Sequence, residues 1–231
     1  MKNLLLTLLC FTLSSVDLWA VPSQSDYLES QGIILQTPGI TQSEIATFLR
    51  EFQKFPRALH HEIISNRGRV HLIKGRGVTA DPTWVTTPTN RTTTYGTSWS
   101  TTAGSGGAPY ARVPTRIVVN MLRRGHDTHG ATNLFLHEHA HSLDSVYKDR
   151  GVSKSRIWAR LMLENPSIAG YLRVCGSYCN NNERERFAEL FSLYHHSELS
   201  REEMEMVAPA VAEFFKNLSS VRNISRNRRA E

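Results

Sequence analysis

The sequence predicts an α+β fold, with a small twisted sheet lying over one buried helix and further helices towards the C-terminus. Three observations carry this. Residues 69–73 and 116–120 are short β-branched runs that read as strands. Leu136, Ala140, Leu143 and Tyr147 follow the i, i+4, i+7, i+11 spacing of a helix with a core-facing stripe. Phe187, Leu190, Phe191 and Tyr194 repeat that spacing further on, so helices dominate the rest of the chain.

Taken in order, residues 1–20 hold Lys2, a nearly unbroken apolar run from Leu4 to Leu13, and a cleavage candidate after Ala20. That is a secretory signal peptide, with an apolar run too short to span a bilayer. Cys10 lacks the small residues expected before a lipidation site. Residues 21–40 look like a loose leader, and a single domain is expected over 41–221. Within it, Ile45, Phe48, Leu49, Phe52 and Phe55 share one face of a helix over 43–59, with Ser43 as a cap and Pro56 disturbing its end. The strand at 69–73 is bounded by Gly68 and Gly75. Residues 79–110 are rich in Thr, Ser and Gly and are too long for an ordinary connector, which favours a functional loop or short-stranded flap. Trp84, Tyr95 and Trp99 sit in this stretch. They either line a substrate cleft, Tyr95 and Trp99 being the candidates, or pack as a satellite cluster under the loop. A second strand at 116–120 precedes the buried helix, which Thr132 or Asn133 can cap. Helices are then expected over 154–165, 184–197 and 201–218, and a basic tail over 222–231.

A formal charge of +6 comes partly from Arg222, Arg226, Arg228 and Arg229 in that tail. Such a tail can touch anionic surfaces but is more often a solvated terminus. Nothing resembles a phosphate-binding Gly-rich loop or an aromatic-interleaved basic strip, so nucleic acid is not an expected partner. No segment after the signal is apolar for long enough to cross a membrane.

Residues 137–141 read His-Glu-His-Ala-His. Histidines four apart leave the same face of a helix about one turn apart, so His137 and His141 can converge on one ion. Glu138 projects beside that ion, where it can act as a base. Zinc suits this arrangement, with neutral imidazole ligands, an open position for water and a carboxylate nearby. Chance matches to H-E-x-x-H are common, so the context has to decide. His139 lies roughly 200° around the helix from His137. It cannot share the ion and reads as a flank or cleft residue.

Catalytic zinc usually takes three protein ligands. Glu185 and Glu189 stand one turn apart on the downstream helix, where like charges repel unless something compensates them. A cation and its histidines would compensate both, with Glu185 as ligand and Glu189 behind a ligating histidine. A solvated charged face, supported by Arg184 and Arg186, is the alternative.

The set His-Glu-His-Ala-His, Tyr178, Glu185 and Phe-Ala-Glu-Leu-Phe resembles the metalloprotease domain of anthrax lethal factor and its relatives, including the small secreted bacterial Pro-Pro endopeptidases. In that pattern a Tyr stands seven residues before a ligand Glu, and a second Glu follows four residues after it. The resemblance implies a zincin-like fold and one Zn2+ per chain held by His137, His141 and Glu185. It also implies Glu138 as general base, Glu189 supporting a ligand, and Tyr178 donating to the oxyanion. The strong matching covers about 134–195. Cys175 and Cys179 bracket Tyr178, and export would permit a disulfide between them; two free thiols are the alternative.

The expected protein is thus a secreted, monomeric zinc endopeptidase acting on proteins or peptides. A peptidase of peptidoglycan cross-links would share the metal chemistry. A non-catalytic adhesin or toxin-binding domain would keep only the fold.

Overall fold

The computed structural model describes residues 23–85, 98–108, 112–124, 131–146, 151–168, 179 and 182–218. The expected signal peptide and basic tail lie outside them.

The segment 21–40 is not a loose leader. Helix α1 (Gln24–Ser30) starts from a capping box between Ser23 and Asp26, and strand β1 (Ile33–Leu35) joins the sheet edge. Between them Gly32 takes φ +65, and a Cβ there would meet Ile64 Cδ1 at 2.7 Å. A three-residue strand is too short to show a period; only Ile33 faces inward, and Ile34 and Leu35 are exposed.

The helix expected over 43–59 is two. Helix α2 (Gln42–Phe52) is capped by Thr41 rather than Ser43, through a reciprocal box with Glu44. Pro56 has no N–H and sits at the start of α3 (Arg57–Ser65), so the chain turns there instead of continuing. Ile45, Phe48 and Phe52 still face the core as their spacing predicts.

The sheet runs in the order β1-β2-β4-β3, where β2 is Val70–Ile73, β3 is Gly104–Ser105 and β4 is Thr115–Val118. β1, β2 and β4 are parallel, and β3 pairs antiparallel to β4 as an edge. Every residue of β2 and β4 is buried, as expected of central parallel strands covered on both faces. Alternation puts Thr115 and Ile117 towards the helices and His71 and Arg116 on the outer face. There both outer side chains meet buried Asp81, His71 Nδ1 at 2.9 Å and Arg116 Nε at 2.7 Å. The strand expected over 116–120 ends at Val118, and a 3-10 segment (Val119–Arg124) follows.

Below the sheet lies α4 (Leu134–Val146), in which only Ser145 is not fully buried. Leu136, Ala140 and Leu143 of the expected stripe are buried, Tyr147 lies outside the described residues, and the helix's other faces are covered too. α5 (Arg156–Glu164) and α6 (Glu183–His196) follow, as predicted within two residues. The helix expected over 201–218 is again two, α7 (Glu198–Val207) and α8 (Pro209–Leu218), because Pro209 breaks the hydrogen-bond ladder and starts a new helix. Trp158, Phe187, Phe191 and Phe215 join α5, α6 and α8 in one aromatic cluster, with centroid separations of 5.3 to 6.0 Å along it. Phe55 links this cluster to α4, its ring 5.1 Å from Phe191 and 6.2 Å from Phe135. No helix of the described residues is long and apolar enough to cross a membrane.

Candidate metal centre

Asn133 caps α4, accepting the Leu136 N–H at 3.0 Å, while its own amide donates to Glu51. Asn182 caps α6, and Glu183 and Glu185 occupy that helix's first turn, where the dipole favours negative charge. Two independently capped helices thus fix the two halves of the site.

The structure brings together His137, His141 and Glu185, whose candidate ligand atoms all lie within 4.8 Å of one another. Oε2 of Glu185 is 3.1 Å from Nε2 of both histidines. Ligands about 2.0–2.1 Å from a shared ion at tetrahedral angles stand roughly 3.3–3.4 Å apart, so the three donors are spaced for one small cation. The second nitrogen of His137 strengthens this reading. Nδ1 is 3.1 Å from Oε2 of Glu189, a fully buried carboxylate that can only accept. Set between two carboxylates, His137 either carries a proton on both nitrogens, or donates from Nδ1 to Glu189 and meets Glu185 across a cation at Nε2. Burial alone would keep His137 neutral, yet Glu185 and Glu189 outweigh it and hold its pKa well above the ordinary value. Burial likewise disfavours the charged form of Glu185, but His137 and His141 hold its carboxyl far below the usual carboxylate range. The cluster demands positive charge at its centre.

Glu189 is anchored from behind. Its Oε1 accepts from the Thr132 N–H at 3.0 Å and hydroxyl at 2.8 Å, so Thr132 orients the carboxylate rather than capping α4. His141 has no equivalent support, since its Nδ1 is buried without a hydrogen-bond partner among the described residues.

Glu138 is buried beside the edge strand, with Cγ 2.8 Å from where a Gly104 Cβ would stand. Added Cβ atoms at Gly106 and Gly107 would meet His141 Cβ at 2.3 Å and Ser142 Oγ at 2.6 Å. The Gly104-Ser105-Gly106-Gly107 run thus lets the backbone lie directly on α4. Sequence reasoning noted a Gly-rich flap but did not single out these glycines; their clustering was the available signal.

His139 is not a cleft residue. α4 is covered on all sides, so its far face meets core, and His139 is fully buried between Phe55 and Phe135. Its Nε2 lies 3.0 Å from Nδ1 of His60, and its Nδ1 lies 3.1 Å from the Thr115 hydroxyl. The protons of this chain run one way. The Gln31 carbonyl can only accept, so His60 donates from Nε2 at 2.9 Å and receives at Nδ1 from His139. His139 then accepts from Thr115, Thr115 from Ser142, and Ser142 from the Gly107 N–H at 2.9 Å. Burial lowers the pKa of both histidines, which suits two neutral rings. The network ties the β3 end of the sheet to α4 and α3.

Trp99 is not brought to this centre. It packs against Trp84 with ring centroids 5.3 Å apart and planes tilted by 49°, and Trp84 lies 4.9 Å from the Arg116 guanidinium on the sheet's outer face. Tyr95, Cys175 and Tyr178 lie outside the described residues. Cys179 is buried and disulfide-bonded.

A family model described as anthrax toxin lethal factor, N- and C-terminal domain, matches residues 24–218. A Pro-Pro endopeptidase of Clostridioides difficile (strain 630) is 29% identical over 124 residues, which is 54% of this chain and 51% of that protein; the chain spans about half the length of this curated relative. Among solved structures, a Pro-Pro endopeptidase from Paenibacillus alvei superposes with a TM-score of 0.63 at 21% identity, covering 82% of this chain and 98% of that one. That likeness establishes the α+β zincin-like fold.

Proposed function

The chain belongs to the anthrax toxin lethal factor family, and from that premise we propose that it is a secreted zinc-dependent endopeptidase. The observation that carries the reading is the shared 3.1 Å approach of His137 and His141 to one oxygen of Glu185, with Glu189 fixing the far side of His137. His137, His141 and Glu185 would hold the ion. Zinc bound there supplies a Lewis acid and brings the pKa of a water towards 7.

The chain's own groups do the rest. Glu138 follows the first ligand in sequence and lies against the edge strand, so it is placed to take the proton of the attacking water and pass it to the leaving amine. β3 is the antiparallel edge of the sheet beside Glu138 and His141, and an extended peptide can add to it as a further strand. The Tyr178 hydroxyl donates to the carbonyl oxygen as negative charge develops. Cys175 is the natural partner of the bonded Cys179, and a bridge between them would restrain the loop carrying Tyr178. Pro-Pro bonds are the first substrates to try, because the relatives are named for cleaving them.

Glu138→Ala tests this reading. It should keep the fold and about one zinc per chain but lose turnover by several orders of magnitude, since base and water orientation go together. Near-normal kcat in that variant would sink the mechanism.

A further inference from the structure

On the sheet's outer face, away from α4, lies a cavity of about 800 Å³. Its walls carry Arg67, Arg69, Arg112 and Arg116, with His71 and Trp84, and no acidic side chain among the described residues. None of the residues of the metal centre lines it. Arg116 is the buried floor, neutralised from beneath by Asp81. Arg67, Arg69 and Arg112 are exposed and form no ion pair among the described residues; Arg69 donates only to the Gly68 carbonyl at 2.7 Å. Among the described residues, three guanidinium groups without an ion-pair partner therefore share one concavity.

The backbone shows that the clustering is maintained against local preference. The non-glycine residues with positive φ among those described are Arg67 at +71 and Arg112 at +56, and both line this cavity. Arg67 follows the α3 cap, where Gly68 N–H reaches the Ile63 carbonyl at 2.9 Å, the position at which helices usually place glycine. Arg112 sits in the loop closed by the Ala108–Val113 bridge. Glycine or asparagine would be less strained at both. Parallel pairing of β2 with β4 sets the entry ends of the two strands side by side, which brings Arg69 and Arg112 to the same mouth. Residues held in unfavourable backbone conformations gather where a site needs their side chains.

We propose that this cavity binds a polyanion carrying successive phosphate groups along its chain. Guanidinium forks entering one space from the α3–β2 turn and the β3–β4 hairpin suit a tetrahedral oxyanion with three accepting oxygens better than a planar carboxylate. The volume exceeds one such group and fits consecutive groups along a chain. This goes beyond the peptidase reading and does not depend on it.

The test uses the full chain and two probes, polyphosphate and heparin, at low salt. Wild type should bind polyphosphate more tightly than heparin, with affinity falling steeply as salt rises. The variant Arg67→Asn/Arg69→Gln/Arg112→Asn suits the positive-φ positions and should fold at least as well. It should bind on the order of a hundredfold more weakly, at roughly fivefold per arginine near an anionic surface. Cleavage of a short uncharged peptide should be unchanged. A second variant, Arg222→Gln/Arg226→Gln/Arg228→Gln/Arg229→Gln, should keep most of the binding. Tighter binding of heparin than of polyphosphate would overturn the phosphate assignment. No binding to either, loss with the tail variant instead of the cavity variant, or equal binding of poly-glutamate would overturn the proposal.

Discussion

Replacing Glu189 with glutamine changes one oxygen to an amide nitrogen, and the structure dictates which way the new group must face. The Thr132 backbone N–H can only donate, and it reaches Oε1 at 3.0 Å with the hydroxyl beside it at 2.8 Å. The amide oxygen must stay there, which puts the NH2 where Oε2 now meets His137 Nδ1 at 3.1 Å. Two N–H groups cannot face each other, so the neutral imidazole is driven to carry its proton on Nε2. That is the nitrogen turned towards Glu185 and the proposed ion, and once protonated it cannot ligate. Removing the outer partner of a ligating histidine typically weakens metal binding 10- to 100-fold, which is about 1.4–2.8 kcal/mol. Zinc affinity measured by competition with a chromophoric chelator, with circular dichroism as the fold control, reads the effect directly. A folded Glu189→Gln variant with wild-type zinc affinity would refute the argument that Glu189 sets the tautomer of His137.

Three further outcomes are expected. Burial, and then Arg201, press the pKa of His195 down to about 3, so the unfolded chain takes up a proton that the folded one refuses. Stability contributed by the neutral ring is complete above the unfolded value near 6.5 and is lost as pH falls, by about 2 kcal/mol between pH 7 and 5; denaturant titrations should show this slope shrink in His195→Phe, and an unchanged slope would remove His195 from the account. Thr115→Val leaves His139 and the Ser142 hydroxyl without their buried partner and should cost about 1–3 kcal/mol, while Thr115→Ser, which keeps the hydroxyl, should cost clearly less; equal melting temperatures for the two variants would contradict the one-way chain. Tyr178→Phe should lower kcat by roughly 10²–10³ with little change in KM, and an unaltered kcat would deny it a role at the oxyanion.

The metal centre was legible because its logic is local. His137 and His141 lie within one turn, and Glu185 and Glu189 within another, so helical spacing alone gathered each pair on one face. What spacing could not supply was the meeting of the two helices, where Phe55 packs between Phe191 and Phe135 and the Ser192 hydroxyl donates to the Asn133 carbonyl. His139 was misjudged for a related reason. A helix wheel separates faces but does not say whether the far face meets water, and here Phe55, His60 and Thr115 cover it. β1 and β3 were hidden by their brevity, having three and two residues against the central strands' four. Pro56 was read only as disturbing the end of one helix and Pro209 was not weighed within 201–218, yet each starts a new helix. The outer-face arginines come from distant turns, so only the pairing of β2 with β4 shows them as one surface.

The most direct test is to incubate the purified protein with a mixed peptide library that includes Pro-Pro sequences, before chelation, after chelation, and after zinc is restored. Cleavage that disappears with the chelator and returns with stoichiometric zinc is the predicted result. Cleavage indifferent to the chelator, or none at all from a folded chain carrying one zinc at His137, His141 and Glu185, would contradict the account.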